Sequence, residues 1–479
     1  MIDIFIIGAY ILLMLGYAVQ KDKISTIIDF SLHKRAFSSK ALFFTIIATM
    51  IGGTGFATKI NQFYFEGWKY LLVVLGMPLQ TMLICKFLVP KAEKTLGYVS
   101  VSSFMGEYYG DTVRVITAIT SSIAVSGFIA SQYKIIGVTG NILFPYINNL
   151  YFIILAVVVV GIYSYYGGVN SVILTDIVQT ICFVLSFIIL MYYLYPTQEE
   201  TIKILSNYNT DVFYLNKAFK GLSNTDIFSL GLLFSYFLIP SFSSTQFQRF
   251  AIAKNKEQLS QSWWSASLAL LIASIIPCIM SYWIFIKNPS LQKGTIYKYL
   301  LNSLEFPGTK AVLIVGIMAM AMSTADSHLN TATTNLANDT WKRHTLTSLQ
   351  KLKYAQNYII LLSFVALGLL YLHDDFLKIV LFANSFYMPL ITVPLIGAIL
   401  GYTTTTRCLL FAIIVTFIAV ITGHILIWLS LTSVEPVIPC MALNGVILLG
   451  GHYIAEKWEL LKCFGIRSQL KNYDIKTNT

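Results

Sequence analysis

The chain has 479 residues, of which 56% are hydrophobic and only 11% charged; a soluble domain carries roughly twice that charged fraction. Apolar runs of about 20 residues recur from end to end, which sets the class as an all-α polytopic membrane protein and excludes an outer-membrane barrel, whose strands alternate in short segments. The net charge of +11 is no nucleic-acid signature, because the Lys and Arg lie in short loops between apolar runs, where they set orientation.

The first run, 2–19, has neither a basic leader nor an A-x-A cleavage site and reads as an anchor helix rather than a signal peptide. About 13 spans follow from hydropathy: 2–19, 41–66, 70–90, 113–138, 150–166, 170–195, 227–247, 264–286, 309–336, 357–373, 377–401, 408–430 and 437–455. Lys21, Lys23, Arg35 and Lys40, then Lys91 and Lys94, Arg249 and Lys254, Lys342 and Arg343, and the tail with Lys457, Lys462 and Arg467 fall on one side. The intervening loops 139–149, 374–376 and 431–436 carry no excess of positive charge. This bias predicts an outside N-terminus and a cytoplasmic C-terminus in the cell inner (plasma) membrane. No loop is long enough for a soluble core, so 1–479 reads as one transmembrane domain. Its parts are an extra N-terminal helix and loop (2–40), a ten-helix core (41–401), two peripheral helices (402–455) and a cytoplasmic tail (456–479).

Two spans carry the sequence marks of broken helices. Span 41–66 contains Ile51-Gly52-Gly53-Thr54-Gly55, followed by polar Thr58, Lys59, Asn61 and Gln62. Span 227–247 contains Ile239-Pro240-Ser241, then Ser243, Ser244, Thr245 and Gln246. Gly and Pro at this depth free backbone groups, which is tolerable where they line a cavity or hold a ligand. Counted from the second span, these are the first and sixth helices of the core, the placement of a 5+5 inverted repeat with its site at the midplane. A solute pocket is expected at the breaks, on Gly52, Gly53, Thr54, Lys59, Ser241 and Gln246, with Phe56, Tyr236 and Phe242 as walls. Lys59 either neutralises a solute carboxylate, snorkels to the outer surface or pairs with Glu66.

Span 309–336 fills with small polar side chains. Ser323, Thr324, Asp326 and Ser327 sit within two turns, and hydroxyls with a carboxylate are hard ligands suited to a small cation. Asp176, Asp326 and Ala48 lie about 9, 15 and 10 Å from the cytoplasmic ends of their helices at 1.5 Å per residue, so they share the inner half of the membrane. His328 is read as a hydrogen-bonded structural residue, Lys134 as a paired or snorkelling one, and Arg249 as an organiser of a cytoplasmic loop. The six scattered cysteines contain no CxxC pair and signal neither disulfide, zinc site nor nucleophile. No nucleotide loop or nucleophile elbow is present, so the chain is not read as an enzyme.

Three segments carry a family resemblance. Gly167-Gly168 through Thr175-Asp176 and Gln179 resembles the GG-x-x-x-V-x-x-T-D-x-x-Q signature of the sodium:solute symporters. Gln248-Arg249 with Ala253-Lys254 is similar to that family's Q-R-x-x-x-A-K segment, and Ala321-Met322-Ser323-Thr324 through Asn338-Asp339 resembles its eighth core helix. The resemblance spans nearly the whole chain. It implies a LeuT-type fold, sodium-driven uptake of an organic solute, and Na+ as the coupling ion. It further implies a shared sodium site on the carbonyls of Ala48, Ile51 and Met320 and the hydroxyls of Ser323 and Thr324. Some members, the sialic acid transporters among them, have a further cation site. It corresponds here to Asp176, Ser323, Asp326 and Ser327, with Asp326 standing where a serine is expected. Two carboxylates there leave open Na+, H+ or an altered site.

Ile51 to Lys59 matches neither the proline-transporter nor the sugar-transporter version of this helix, so the solute stays at the level of an amino acid or organic acid. The expected partners are that solute and the lipid bilayer, with no nucleic acid. The alternatives are a proton-coupled symporter of the same fold and a non-transporting solute sensor, for which the tail 456–479 leaves no room for a kinase module.

Overall fold

The structure, a computed structural model, describes residues 2–18, 24–208, 210–304, 306–341, 346–373 and 375–457. Lys21, Lys23, Lys342 and Arg343, on which the orientation argument draws, and the tail beyond 457 lie outside them. Among the described residues every regular element is a helix.

Among the described residues, seven helices are long and apolar enough to cross a membrane, and two bent pairs and two shorter apolar helices, Ile2–Gly16 and Val437–Gly451, add to them. Asn149–Leu194 is a single element of 46 residues, about 69 Å at 1.5 Å per residue, or twice what a bilayer needs. It is bent at Gly168, whose φ of 51° and ψ of −156° are non-helical, and it covers the two predicted spans 150–166 and 170–195. Glycine suits that backbone, and a Cβ at this position would lie 2.9 Å from the Phe30 carbonyl.

Both expected breaks are present. Ser39–Met50 and Gly53–Glu66 meet at 53°, joined by Ile51 (φ −98°, ψ 83°) and Gly52. The glycines make helix costly here, and Gly53 also lets the chain approach its neighbour: a Cβ on it would lie 3.1 Å from the Ile317 carbonyl and 3.2 Å from Ala321 Cβ. In the second, Asn224–Leu238 and Ser244–Ala251 are separate helices. Pro240 has no N–H to continue the first, and Ser243 opens the second with a capping box to Gln246. Phe242 between them has a φ of 44°, a strained left-handed value for a bulky residue. A third break was not anticipated. The predicted span 377–401 is Phe376–Asn384 plus Met388–Leu400, bent by 41°, with Pro389 in a π-turn over Met388–Thr392, where proline removes a ladder donor.

The hydroxyl-rich helix Thr309–Asp339 is the axis of the molecule. In its most apolar stretch 89% of residues are buried, against 22% in Thr406–Trp428, which separates a central helix from a peripheral one. Small residues allow such packing. The clearest contact is between Asp111–Leu143 and Phe376–Asn384, where a Cβ placed on Gly127 would lie 2.2 Å from Ala383 Cβ. Gly127→Ala is therefore expected to destabilise the protein by about 1–3 kcal/mol, read as a lower Tm in detergent. Ala383→Gly in the same chain should recover most of the loss. An unchanged Tm for Gly127→Ala would show that the two helices are not held that close.

Candidate functional site

The break in the first core helix releases backbone acceptors. A helix ending at Met50 leaves its last carbonyls without intrahelical partners; Ile47 O is taken by Ile51 N at 3.0 Å. The hydroxyl-rich helix supplies donors to the next two. Ser323 Oγ donates to Ala48 O at 3.0 Å, and Thr324 Oγ1 lies 3.5 Å from Ala48 O and 3.3 Å from Thr49 O. The same hydroxyls lie 3.1 and 3.0 Å from Met320 O in their own helix, the back-bonding habit of Ser and Thr. Five oxygens from two helices thus meet in a place where Ser323 is fully buried and Thr324 nearly so. Each hydroxyl keeps lone pairs free while its proton is donated. Ile51 sits at the break itself and lines the adjoining cavity; the second break carbonyl within hydrogen-bond reach of the hydroxyls is that of Thr49, which sequence reasoning did not single out.

Behind this junction lies a charged cluster. Asp176, from the bent helix Asn149–Leu194, accepts from Thr45 Oγ1 at 2.5 Å. Asp326 accepts from Tyr163 OH at 2.8 Å. Both carboxylates are fully buried, and Asp176 Oδ1 and Asp326 Oδ1 have no hydrogen-bond partner among the described residues. Between them reaches Arg249, only 2% exposed. Its Nη2 donates to Ser327 Oγ at 2.6 Å and to Thr49 Oγ1 at 2.9 Å and lies 3.9 Å from Asp176 Oδ2, while Nη1 donates to Gln248 Oε1 at 3.0 Å. Arg249 is thus not the loop organiser expected of a cytoplasmic helix end. The second break turns Ser244–Ala251 inward and carries the side chain into the core. Its position in the Q-R pair was the one sequence signal that could have marked it.

A cavity of about 210 Å³ opens between the two breaks. Gly52, Thr54, Lys59, Ser241 and Gln246 line it, as do Phe56 and Tyr236; Gly53 and Phe242 do not, being turned to packing instead. Gln132 Nε2 donates to Thr54 Oγ1 at 2.7 Å. Gln80 joins the second break by donating to Ile239 O at 2.8 Å and accepting from Gln246 Nε2 at 3.2 Å. Lys59 Nζ reaches Ser274 Oγ at 3.3 Å rather than Glu66. His328 Nδ1 pairs with Thr245 Oγ1 at 2.6 Å and its ring stacks on Phe128, a hydrogen-bonded histidine on the cavity wall. Lys134 donates to the His373 carbonyl at 2.7 Å, away from the cavity. Thr49 and Thr324 belong to both the oxygen junction and the cavity wall, so an ion at the junction and a solute in the cavity would share a boundary. Asp176, Asp326 and Ser327 stand one layer behind, and the cavity does not reach them.

Neither a protein-family model nor a curated protein matches the chain. Solved structures do. A Na+-coupled sialic acid symporter, substrate-bound and outward-open, matches 95% of this chain and 98% of its own at 18% identity, with a TM-score of 0.76. A nucleobase-cation-symport-1 family transporter in a closed conformation matches 92% and 96% at 11% identity and a TM-score of 0.61. A manganese transporter variant of Eremococcus coleocola matches 93% and 97% at 12% identity and a TM-score of 0.53. All three are transporters rather than enzymes, and at these identities the likeness is one of fold. The apolar spans, the paired breaks and these likenesses converge on the architecture that the signature segments implied: the chain is a multi-pass membrane protein with the LeuT-type fold, a fold of secondary transporters.

Proposed function

We propose that the chain is a sodium-coupled symporter that imports a small organic solute by alternating access, with its N-terminus outside and its C-terminus in the cytoplasm of the inner (plasma) membrane. Na+ is assigned to the carbonyls of Ala48, Ile51 and Met320 and the hydroxyls of Ser323 and Thr324, and the solute to the cavity at Gly52, Thr54, Lys59, Ser241 and Gln246. One observation above the others supports this: the hydroxyls of Ser323 and Thr324 face the carbonyls that the break releases, 3.0 Å apart at the shortest, at the edge of a cavity sized for a metabolite. Uncharged oxygens with no carboxylate among them favour a hard monovalent ion and hold it weakly enough to release. Among the described residues, Lys59 is the one Lys or Arg on the cavity wall and no Asp or Glu lines it, so an amino acid or organic acid presenting a carboxylate fits best.

Loss of one hydroxyl ligand to a charged ion costs about 1.5–3 kcal/mol, roughly tenfold or more in affinity. Ser323→Ala and Thr324→Ala should each raise the Na+ concentration for half-maximal uptake in proteoliposomes by that order; unchanged sodium dependence in both would refute the assignment. A second reading, proton coupling, draws on the two unpartnered carboxylate oxygens of Asp176 and Asp326. Accumulation in sodium-free buffer driven by an inward proton gradient would establish it and remove the sodium reading. To identify the solute, the purified protein should be melted against amino acids, organic acids and sugars, with and without Na+. A bound solute at 100 times its Kd adds about 2.7 kcal/mol, and Na+ should enlarge the rise in Tm for that solute and leave inert compounds flat.

A further inference from the structure

The oxygen junction has two walls, and one nitrogen atom ties them together. Thr49 belongs to the broken helix, with its carbonyl 3.3 Å from Thr324 Oγ1. Ser327 belongs to the hydroxyl-rich helix one turn beyond Ser323, on the same face. Arg249 Nη2 donates to the side chains of both, at 2.9 and 2.6 Å, and the two hydroxyl oxygens lie 3.1 Å from each other. The guanidinium comes from neither wall but from Ser244–Ala251; its Nη1 donates to Gln248 Oε1, and Nη2 also lies 3.9 Å from Asp176 Oδ2. The two N–H bonds of Nη2 are fixed in the guanidinium plane, so their directions set the separation of Thr49 and Ser327. That separation sets the gap between the Ala48 and Thr49 carbonyls on one side and the Ser323 and Thr324 hydroxyls on the other.

We propose that Arg249 is a positioning residue for the cation junction: by bridging the Thr49 and Ser327 hydroxyls it sets the width of the gap in which the coupling ion is held, without touching the ion. The inference rests on the sodium reading above. It also joins the second broken helix to the first, since the side chain that spaces the ion's ligands is anchored between one and two turns past the break at Ser241–Ser243. The buried charge is offset locally by Asp176, so the clamp adds an ordered donor without leaving an isolated cation beside the ion.

The test is Na+ titration of the purified full chain, read as Na+-dependent thermal shift and, in parallel, as uptake. Thr49→Val keeps the shape and the carbonyl but removes the hydroxyl; Thr49→Ser restores the hydroxyl. Arg249→Lys keeps the charge but loses the fork. Thr49→Val and Arg249→Lys should each raise the Na+ half-saturation roughly fivefold; for Arg249→Lys, whose site lies outside the cavity lining, solute affinity at saturating Na+ should stay near wild type. Thr49→Ser should behave as wild type. The double variant should be no worse than the more affected single one, since both break the same bridge. A change of ion-size preference, read as the Li+ to Na+ ratio of half-saturation, should accompany the loss. Thr49→Val with an unaltered half-saturation overturns the proposal, whether or not Arg249→Lys folds. If Ser323→Ala also leaves sodium dependence intact, the sodium reading itself has failed; if Ser323→Ala shifts it and Thr49→Val does not, only the clamp has.

Discussion

The constraint on which the rest of the structure depends is the fate of the backbone groups exposed where a membrane helix stops in mid-bilayer. In hydrocarbon such groups have no water to bond, and leaving them bare costs several kcal/mol each. The chain resolves this by setting a helix of small hydroxyl residues against the break, so that the Ala48 and Thr49 carbonyls face Ser323 and Thr324. An arrangement made to satisfy orphan acceptors is also a ring of oxygens with spare lone pairs. The structural remedy and the proposed ion site thus share the Ala48 carbonyl and the hydroxyls of Ser323 and Thr324.

The hydroxyl helix can occupy that place because Gly, Ala, Ser and Thr recur along its length, most densely from Ala319 to Thr334. Thr309–Asp339 is buried along most of its length, and close approach to its neighbours uses glycines on both sides: a Cβ on Gly53 would press on Ile317 O at 3.1 Å, and one on the helix's own Gly316 would collide with Ser186 Oγ at 2.0 Å. Close approach shortens the path between elements distant in the chain, bringing Ala48 and Ser323, 275 residues apart, into one hydrogen bond. The cavity then falls beside the junction, because the same two breaks that free the carbonyls also open space between the half-helices.

The buried acids follow a different economy. Burying Asp176, Asp326 and Arg249 together carries a desolvation cost that mutual attraction only partly offsets. Such a cluster therefore calls for some role beyond stability. Here it sits behind the oxygen junction and connects the bent signature helix, the hydroxyl helix and both broken helices through Thr45, Thr49, Ser327 and Tyr163. Movement of one broken helix relative to the other would have to pass through these bonds.

Local chemistry in the sequence determined the membrane class, the positions of the spans and the two principal breaks, because hydropathy, Gly-Gly-Thr-Gly and Ile-Pro-Ser act on the residues that carry them. It also marked Ser323, Thr324, Asp176 and Asp326, since polar groups in an apolar run are visible without knowing their neighbours. The bend at Pro389 lay within one continuous apolar run and went unread, for proline in a membrane helix bends it only where packing absorbs the lost donor. Only the tertiary structure decided that Thr49 offers a carbonyl to Thr324, that Lys59 turns to Ser274 rather than Glu66, and that Arg249 lies in the interior instead of at the surface. Those outcomes depend on which faces of distant helices meet. The direction in which a half-helix leaves a break is set by packing with the rest of the molecule, not by the residues that make the break.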